Sequence, residues 1–382
     1  NNAAAGFTHE IRGTSTTTTI NVLNAARAGN LSDVVNIKYN IATDGSSVAH
    51  TSHIIAATET INVDSTTSGT IAAGDINTLT TLTATHLNTL NITGDTKFVI
   101  TNAITTASIR TVDGSTSTGG VTYSAAAAVA GITLKGSAAV KSAGHVQDND
   151  NILTGGAGAD SITGGTGIDI IVAGAGNDII TVGAGVDTIT SNAGNDVIVL
   201  TETIQAIDSV VILDASEGND AITDFVVGTG GDQIDITFLG AGAMKDAGGT
   251  ADGTHLSWDL GGRNIANAAE AVVISTVTGA FDGSSLTTQT TILNVNLAAN
   301  FVSNVELATA LEIGGDVAFS TDAAIAAKDM VFVTWDDGTD SYLSHVEFNA
   351  AVADGAAAAD GVLAITDLIT FSGVADSSTL VA

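Results

Sequence analysis

The sequence contains no cysteine and no proline, and basic and aromatic residues are scarce. Without cysteine, disulfide bonds and thiol chemistry are excluded, and without proline slow prolyl isomerisation cannot limit folding. Lys and Arg total 10 against 41 Asp and Glu, which gives a formal net charge of −31. A charge of this sign and size argues against nucleic acid or an anionic membrane as a partner. No apolar run free of polar residues is long enough to predict a transmembrane segment.

The residue combinations that carry catalysis are also missing from the sequence. The only His-Glu pair, His9-Glu10, is followed by Ile-Arg-Gly, so the HExxH zinc motif is absent, as are a GxSxG nucleophile elbow and a phosphate-binding loop with lysine. His50 and His53 lie in a Ser/Thr-rich stretch, where such a pair more often marks a turn than a metal site that needs further ligands. Trp258 and Trp335 are expected in the core. The sequence therefore predicts that the protein is not an enzyme.

Residues 155–199 form five uninterrupted nine-residue repeats, each with Gly at position 4, Asp at position 6 and Ile at position 8. Glycine supplies the positive φ that lets the chain turn with its carbonyl oxygens facing a cation. The isoleucine is expected to point inward from a short strand after the turn. At position 2, Asn192 replaces glycine in the last repeat, and Asn is the next residue most tolerant of a left-handed conformation. The candidate cation-binding residues are the aspartates Asp160, Asp169, Asp178, Asp187 and Asp196 and the glycines Gly156, Gly158, Gly165, Gly167, Gly174, Gly176, Gly183 and Gly185.

If two repeats make one coil, repeat n stacks on repeat n+2 and the aspartates form two ladders on opposite edges. Without a metal, stacked carboxylates about 4.8 Å apart would repel by about 1 to 3.5 kcal/mol per pair. A hard cation between carboxylate and carbonyl oxygens suits the oxygen shell that Ca²⁺ prefers, so several calcium ions are predicted. The predicted two-carboxylate sites are Asp160–Asp178, Asp178–Asp196 and Asp169–Asp187, with a fourth where Asn151 takes the aspartate position before Asp169.

The repeat GGxGxDxUx is identified as the RTX nonapeptide, and this resemblance implies a secreted protein whose parallel β-roll folds on calcium. After the repeats, a degenerate sixth unit leads into a segment similar to the one that follows the roll in serralysin-like proteins exported by type I systems. That family usually has one residue between the glycine and the next aspartate, whereas three separate Gly228 from Asp232 here. By ligand type, the secondary calcium candidates are Asp220, Asp224, Asp232 and Asp235.

The whole pattern predicts an all-β protein, with a parallel β-solenoid or β-roll followed by a β-rich C-terminal domain that contains a few short helices. Residues 58–146 are Thr-rich, and three of their short alternating segments recur about every 20 to 22 residues, as solenoid rungs would, although a Thr-rich β-sandwich alternates similarly. The β-roll is assigned to residues 147–200.

Residues 1–57 are less regular, with a helix expected at Ile20–Ala28 and a strand at Val34–Tyr39. They contain no N-terminal signal peptide, which fits another export route or a piece of a longer chain.

Residues 201–382 alternate strand-like and Ala-rich helical segments. Helices are expected at Asn264–Ala269 and Ser303–Leu311, and the turn from Trp335 to Asp340 predicts a hairpin. The last 54 residues contain no Lys or Arg, which resembles the type I secretion signal of RTX exoproteins but is also typical of the last strand of a β domain. The expected strands are Val272–Val277, Met330–Trp335, Asp340–Glu347 and Leu363–Phe371.

The sequence is long and repetitive, is predicted to form β structure stabilised by calcium, and has no catalytic motifs. In these features it resembles the RTX-type S-layer proteins of Gram-negative bacteria. The resemblance implies a secreted cell-surface protein that forms a two-dimensional lattice when calcium binds. Its expected partners are further copies of itself, cell-surface polysaccharide and the type I secretion machinery. Two alternatives stay open, namely the C-terminal secretion and folding module of a larger secreted enzyme, and an RTX adhesin.

Overall fold

The fold is given by a computed structural model that describes most of the chain. The described residues are 2–3, 7–13, 15–22, 33–41, 47–56, 58–68, 70–72, 75–138, 149–202, 204–213, 217–226, 231–236, 256–259, 273–277, 281–282, 291–295, 303–311, 319–320, 330–348, 363–375 and 380. The chain divides into two units, the first comprising residues 1–193 with 201–205 and the second residues 194–200 with 206–382. Within the described residues, no helix is long and apolar enough to cross a membrane.

The first unit is built from short strands that follow one another along the chain. They are β1 (Asn2–Ala3), β2 (Thr8–Ile11), β3 (Ser15–Val22), β4 (Val34–Ile41), β5 (Val48–Ala56), β6 (Thr60–Thr67), β7 (Ile76–Thr83), β8 (Thr89–Thr93), β9 (Lys97–Ile100), β10 (Thr111–Asp113), β11 (Val121–Ser124), β12 (Thr133–Lys135), β13 (Ile152–Thr154), β14 (Ser161–Thr166), β15 (Ile170–Ala175), β16 (Ile179–Ala184) and β17 (Thr188–Ala193). The odd-numbered strands form one sheet and the even-numbered strands another, and neighbours in each sheet are parallel. This is the predicted parallel solenoid.

The register of these sheets follows the sequence repeats. Thr89, Thr111 and Thr133 lie side by side on β8, β10 and β12, which confirms the rungs predicted from the recurring segments. In the nonapeptide region Ile162 pairs with Ile180, so repeat n stacks on repeat n+2 as predicted. The sheets also reach back before residue 58, because β4 pairs with β6 and β5 pairs with β7.

Alternating side chains build the core between the two sheets of the first unit. The position-8 isoleucines Ile162, Ile171, Ile180 and Ile189 are at most 1% exposed, which confirms that they point inward. On the outer face the in-register stacking aligns like residues. There Asn62 donates to Asn36 and Asn91 donates to Asn62, both at 2.8 Å.

The second unit is also dominated by strands. Its elements are β18 (Val197–Val199), β19 (Ser209–Ile212), β20 (Asp220–Thr223), β21 (Gln233–Ile236), β22 (Leu256–Asp259), β23 (Val273–Val277), β24 (Phe281–Asp282), β25 (Thr291–Val295), α1 (Asn304–Leu311), β26 (Phe319–Ser320), β27 (Met330–Asp336), β28 (Ser341–Phe348) and β29 (Leu363–Ser372). The strand order is β18-β20-β29-β28-β27-β25-β23 in one sheet and β19-β21-β22 in another, and β24 pairs with β26. The β27–β28 pair is antiparallel, which confirms the predicted hairpin.

Several local predictions can be compared with these elements. The helix at Ser303–Leu311 and the four C-terminal strands are confirmed to within one residue at each end. Trp335 is 2% exposed and its indole N–H donates to Ser344 Oγ at 2.9 Å, as expected of a core residue. The side chain of Trp258 and the expected helix at Asn264–Ala269 lie outside the described residues.

Two predictions in the N-terminal part are wrong where the structure describes it. The helix expected from Ile20 is replaced at residues 20–22 by the end of β3, because this segment continues a Thr run whose β-branched residues favour strand and it pairs with β5. The rest of that helix, residues 23–28, lies outside the described residues. His50 and His53, expected in a turn, lie inside β5 instead.

Candidate metal centre

The nonapeptide aspartates line the edges of the first unit at the point where each strand begins. Asp160, Asp169, Asp178 and Asp187 directly precede β14 to β17 and are at most 3% exposed. The Asp160 backbone N–H donates to Asp178 Oδ1 at 2.7 Å, and the Asp169 N–H donates to Asp187 Oδ1 at 2.8 Å. In each ladder, therefore, the carboxylate of one aspartate lies beside the backbone N–H of the aspartate 18 residues earlier in the chain.

Asn151 begins one of these ladders in the position that the aspartates occupy elsewhere. Its backbone and side-chain N–H groups both donate to Asp169 Oδ1 at 2.8 Å. Its own Oδ1 accepts hydrogen bonds from the backbone N–H groups of Val121 and Ser137 at 3.0 and 2.9 Å. Asn151 thus caps the ladder, and its amide oxygen is already used by backbone donors. A fourth cation site at Asn151 stays a prediction.

The repeat glycines allow successive turns to lie against one another. A Cβ on Gly174 would lie 2.0 Å from the Gly156 carbonyl oxygen, and one on Gly183 would lie 2.0 Å from that of Gly165. Asn192 has a φ of 66°, the left-handed conformation expected at position 2. The glycines with a positive φ in this region are Gly165, Gly167, Gly174, Gly176, Gly183, Gly185 and Gly194, while Gly156 and Gly158 are close-packed against the backbone of residues 128–131.

The donor atoms of this edge fit a divalent cation that prefers oxygen. Asp169 Oδ2 is buried and accepts no hydrogen bond. Gly164 lies beside this oxygen, and because glycine has no side chain the space next to the oxygen stays open; a Cβ on residue 164 would lie 2.7 Å from it. Burial raises the pKa of Asp169 to about 7, and it outweighs the hydrogen bonds from Asn151, which lower the pKa. Burial likewise raises the pKa of Asp187 to about 7. Buried anions without a counter-charge are costly, so calcium bound to these oxygens would offset that cost.

Glu202 joins this edge from outside the repeats. Its Oε1 accepts the Gly185 backbone N–H at 3.0 Å, and it offers a carboxylate oxygen within 4.8 Å of one from Asp187. Because Glu202 follows the end of the nine-residue register, the repeat pattern gave no signal for it. The structure thus adds a further oxygen donor to the predicted set.

The second unit repeats the ladder geometry over a longer spacing. The Asp196 backbone N–H donates to Asp220 Oδ1 at 3.0 Å, and the Asp208 N–H donates to Asp232 Oδ1 at 3.1 Å. Asp208 was not predicted, although it precedes β19 as Asp232 precedes β21. Of the remaining secondary candidates, Asp224 is exposed at the end of β20 with a φ of 62°, and Asp235 lies within β21. Calcium binding at these positions stays a prediction.

Replacing Asp178 by asparagine is expected to weaken calcium binding by more than about tenfold, ~1.4 kcal/mol. Asparagine keeps an oxygen that can accept the Asp160 N–H, so the change removes charge and leaves the hydrogen bond possible. Calorimetric calcium titration of the full chain measures the effect. Asp64→Asn is the control, because Asp64 lies on β6 of the same unit and pairs with Lys38 outside the ladders. An equal loss of calcium affinity in Asp178→Asn and Asp64→Asn would contradict a role for Asp178 in the ladder.

Comparison with known proteins agrees with this geometry. The model of the RTX calcium-binding nonapeptide repeat family matches four copies, over residues 147–167 and 163–198. No curated protein matches the chain. The matched residues include the strands and aspartates that form the buried ladders of the first unit. The chain therefore contains an RTX calcium-binding β-roll, built into a longer parallel solenoid.

Proposed function

We propose that this chain is a structural, non-enzymatic protein of the bacterial cell surface that assembles with copies of itself when calcium binds. The observation that carries the proposal is the continuity of the β-roll with the solenoid. Strands β11 and β12 pair in register with β13 and β14 of the repeat region. Calcium that orders the roll would therefore also fix the end of a long stacked sheet.

The negative charge of the chain suggests a second effect of calcium, which is to reduce the electrostatic repulsion between copies. A net charge of −31 keeps copies apart in the absence of counter-ions. Divalent cations bound at acidic surfaces would lower this repulsion and bridge neighbouring subunits. Assembly would then depend on calcium both for the rigidity of each copy and for the contacts between copies.

The outer surface of the roll supplies apolar area for such contacts. Ile152 and Ile170 lie side by side in register on β13 and β15 and are 39% and 45% exposed. Ile179, on the other sheet, is 54% exposed. Neighbouring exposed aliphatic side chains are typical of surfaces that bind another protein. This surface favours association with a second copy.

Secretion fits the same proposal. RTX repeats support a calcium-binding secreted protein, and the S-layer of a Gram-negative cell is the location that we propose, reached by type I export. Cell-surface polysaccharide would serve as the anchor. The basic-residue-free C-terminal stretch contains β29, which pairs with β20 and β28, so any export signal there would be part of the fold.

Purified full chain is expected to form ordered two-dimensional sheets in millimolar calcium and to disperse when a chelator is added. Negative-stain electron microscopy and light scattering measure both states. Ile170→Thr should reduce assembly at unchanged calcium affinity, since it removes exposed apolar area from the roll. Ile54→Thr is the control, because Ile54 is similarly exposed at 39% but lies on β5. Calcium-loaded protein that stays monomeric would contradict the proposal, and fibres in place of sheets would favour the adhesin alternative.

A further inference from the structure

A further pair of acidic residues lies on the same sheet edge as one aspartate ladder, but outside the nonapeptides. Asp33 directly precedes β4 and Glu59 directly precedes β6, and these two strands pair in register. The Asp33 backbone N–H donates to Glu59 Oε2 at 3.0 Å, and the Thr60 N–H donates to the Asp33 carbonyl oxygen at 3.1 Å. The carboxylate of one rung thus accepts the N–H of the acidic residue in the rung before it, as Asp178 accepts that of Asp160.

The register of the even-numbered sheet shows that these positions are equivalent to those of the ladder. Val35 pairs with Ile61 on β6, and the pairing continues from strand to strand as far as Ile162 on β14. These three side chains are at most 1% exposed, and an acidic residue stands two positions before each of them. On the three rungs between, β8, β10 and β12, the same position holds Asn88, Arg110 and Ile132. The pair at Asp33 is therefore separated from the ladder by three rungs without a carboxylate.

The nonapeptide pattern does not reveal this pair, because the segments before it lack the repeat glycines. In the nine-residue frame that places Asp33 at position 6, Gly29 occupies position 2 but Leu31 occupies position 4. The frame that places Glu59 at position 6 covers residues 54–62 and contains no glycine. The match to the repeat family accordingly begins only at residue 147.

The carboxylate of Asp33 is buried without a counter-charge. Asp33 is 2% exposed, and its Oδ1 accepts no hydrogen bond. In the part of the chain that the structure describes, no lysine or arginine forms an ion pair with Asp33 or Glu59, and Lys38 of β4 pairs with Asp64 instead. The hydroxyl of Thr58, next to Glu59, is also fully buried and has no hydrogen-bond partner. Buried oxygens of this kind cost free energy, which a bound cation would offset.

We propose that Asp33 and Glu59 bind a calcium ion at a site separate from the RTX roll. Two carboxylates supply the charge and the hard oxygen ligands that Ca²⁺ prefers. Glu59 is half-buried, so water reaches the site and completes a shell of about six to eight oxygens. The ion would hold β4 to β6 and extend calcium-dependent order to rungs that carry no nonapeptide. The proposal does not depend on assembly between copies of the chain.

Hydrogen exchange of the full chain, in calcium and in a chelator, tests the site. The amides of Asp33 and Thr60 donate between the two rungs. Their protection should rise by about tenfold at a calcium concentration about ten times the dissociation constant. Glu59→Gln keeps an oxygen that can accept the Asp33 N–H but removes the charge, so most of this rise should be lost. The calcium-dependent protection of the Asp160 and Asp169 amides in the roll should be unchanged.

Asp64→Asn is the matched control, because Asp64 lies on β6 and pairs with Lys38 outside the site. Asp33→Asn should lose the same protection as Glu59→Gln, and circular dichroism checks its fold first because Asp33 is buried. If it does not fold, Glu59→Gln at the half-buried position decides the question alone. The proposal is overturned if the Asp33 and Thr60 amides exchange equally with and without calcium, if Glu59→Gln keeps the rise in protection, or if Asp64→Asn loses it equally.

Discussion

Replacing Gly185 by alanine is expected to destabilise the β-roll by about 3 to 5 kcal/mol. Gly185 has a φ of +135°, a conformation that costs residues with a side chain about 1 to 3 kcal/mol. In addition, the new Cβ would lie 1.7 Å from the Gly167 carbonyl oxygen. This neighbour is backbone of the adjacent rung, so it can move only if the rungs separate and their hydrogen bonds lengthen.

Gly373→Ala separates the two contributions to this loss. Gly373 also has a positive φ of +83°, but a Cβ there would meet nothing within 4 Å. We expect a cost of about 1 to 2 kcal/mol from the backbone conformation alone. Hydrogen exchange of the amides around each glycine in calcium-loaded protein measures the local free energy of opening. Equal losses at the two positions would show that close stacking of the turns does not limit stability.

Calcium withdrawal is expected to unfold the β-roll of the first unit while the solenoid over residues 75–138 stays folded. Asp160–Asp178 and Asp169–Asp187 supply two buried carboxylate pairs there. Occupancy at 100 times the dissociation constant stabilises by about 2.7 kcal/mol per site, hence about 5 kcal/mol for two. That is a large part of the roughly 5 to 15 kcal/mol that stabilises a typical domain.

Hydrogen exchange with and without a chelator measures this change segment by segment. The backbone amides of Asp160 and Asp169, which donate across rungs, should lose protection without calcium. Those of β8 and β10, which lie outside the ladders, should keep it. Adding calcium back should restore the roll, whereas magnesium should not, because it requires a tighter octahedral shell and gives up its water reluctantly. Unchanged exchange at Asp160 and Asp169 would contradict calcium-dependent order in the roll.

The nonapeptides by themselves determined the local structure of their own segment. Because the spacing is constant, each residue of a repeat pairs with the residue at the same position two repeats later. Ile162 therefore pairs with Ile180, and Asp160 lies beside Asp178. The same argument located β8, β10 and β12 from segments of nearly constant spacing. Where the repeat length is constant, a short pattern fixes both the strand and its neighbour, because the period sets which residues stack.

Only the tertiary structure decided what happens where the repeat length changes. Glu202 and Asp208 follow the end of the nine-residue register. Their hydrogen bonds with Gly185 and Asp232 depend on the path of the loop between them, which the repeat spacing does not predict. His50 and His53 are both buried on β5 although they are three residues apart, which strict alternation along a strand does not predict. Residues 20–22 became strand through pairing with β5. For Glu202, Asp208 and residues 20–22, contacts between segments about 17 to 35 residues apart outweigh local preference. Pairing between strands satisfies backbone groups that a local pattern cannot account for.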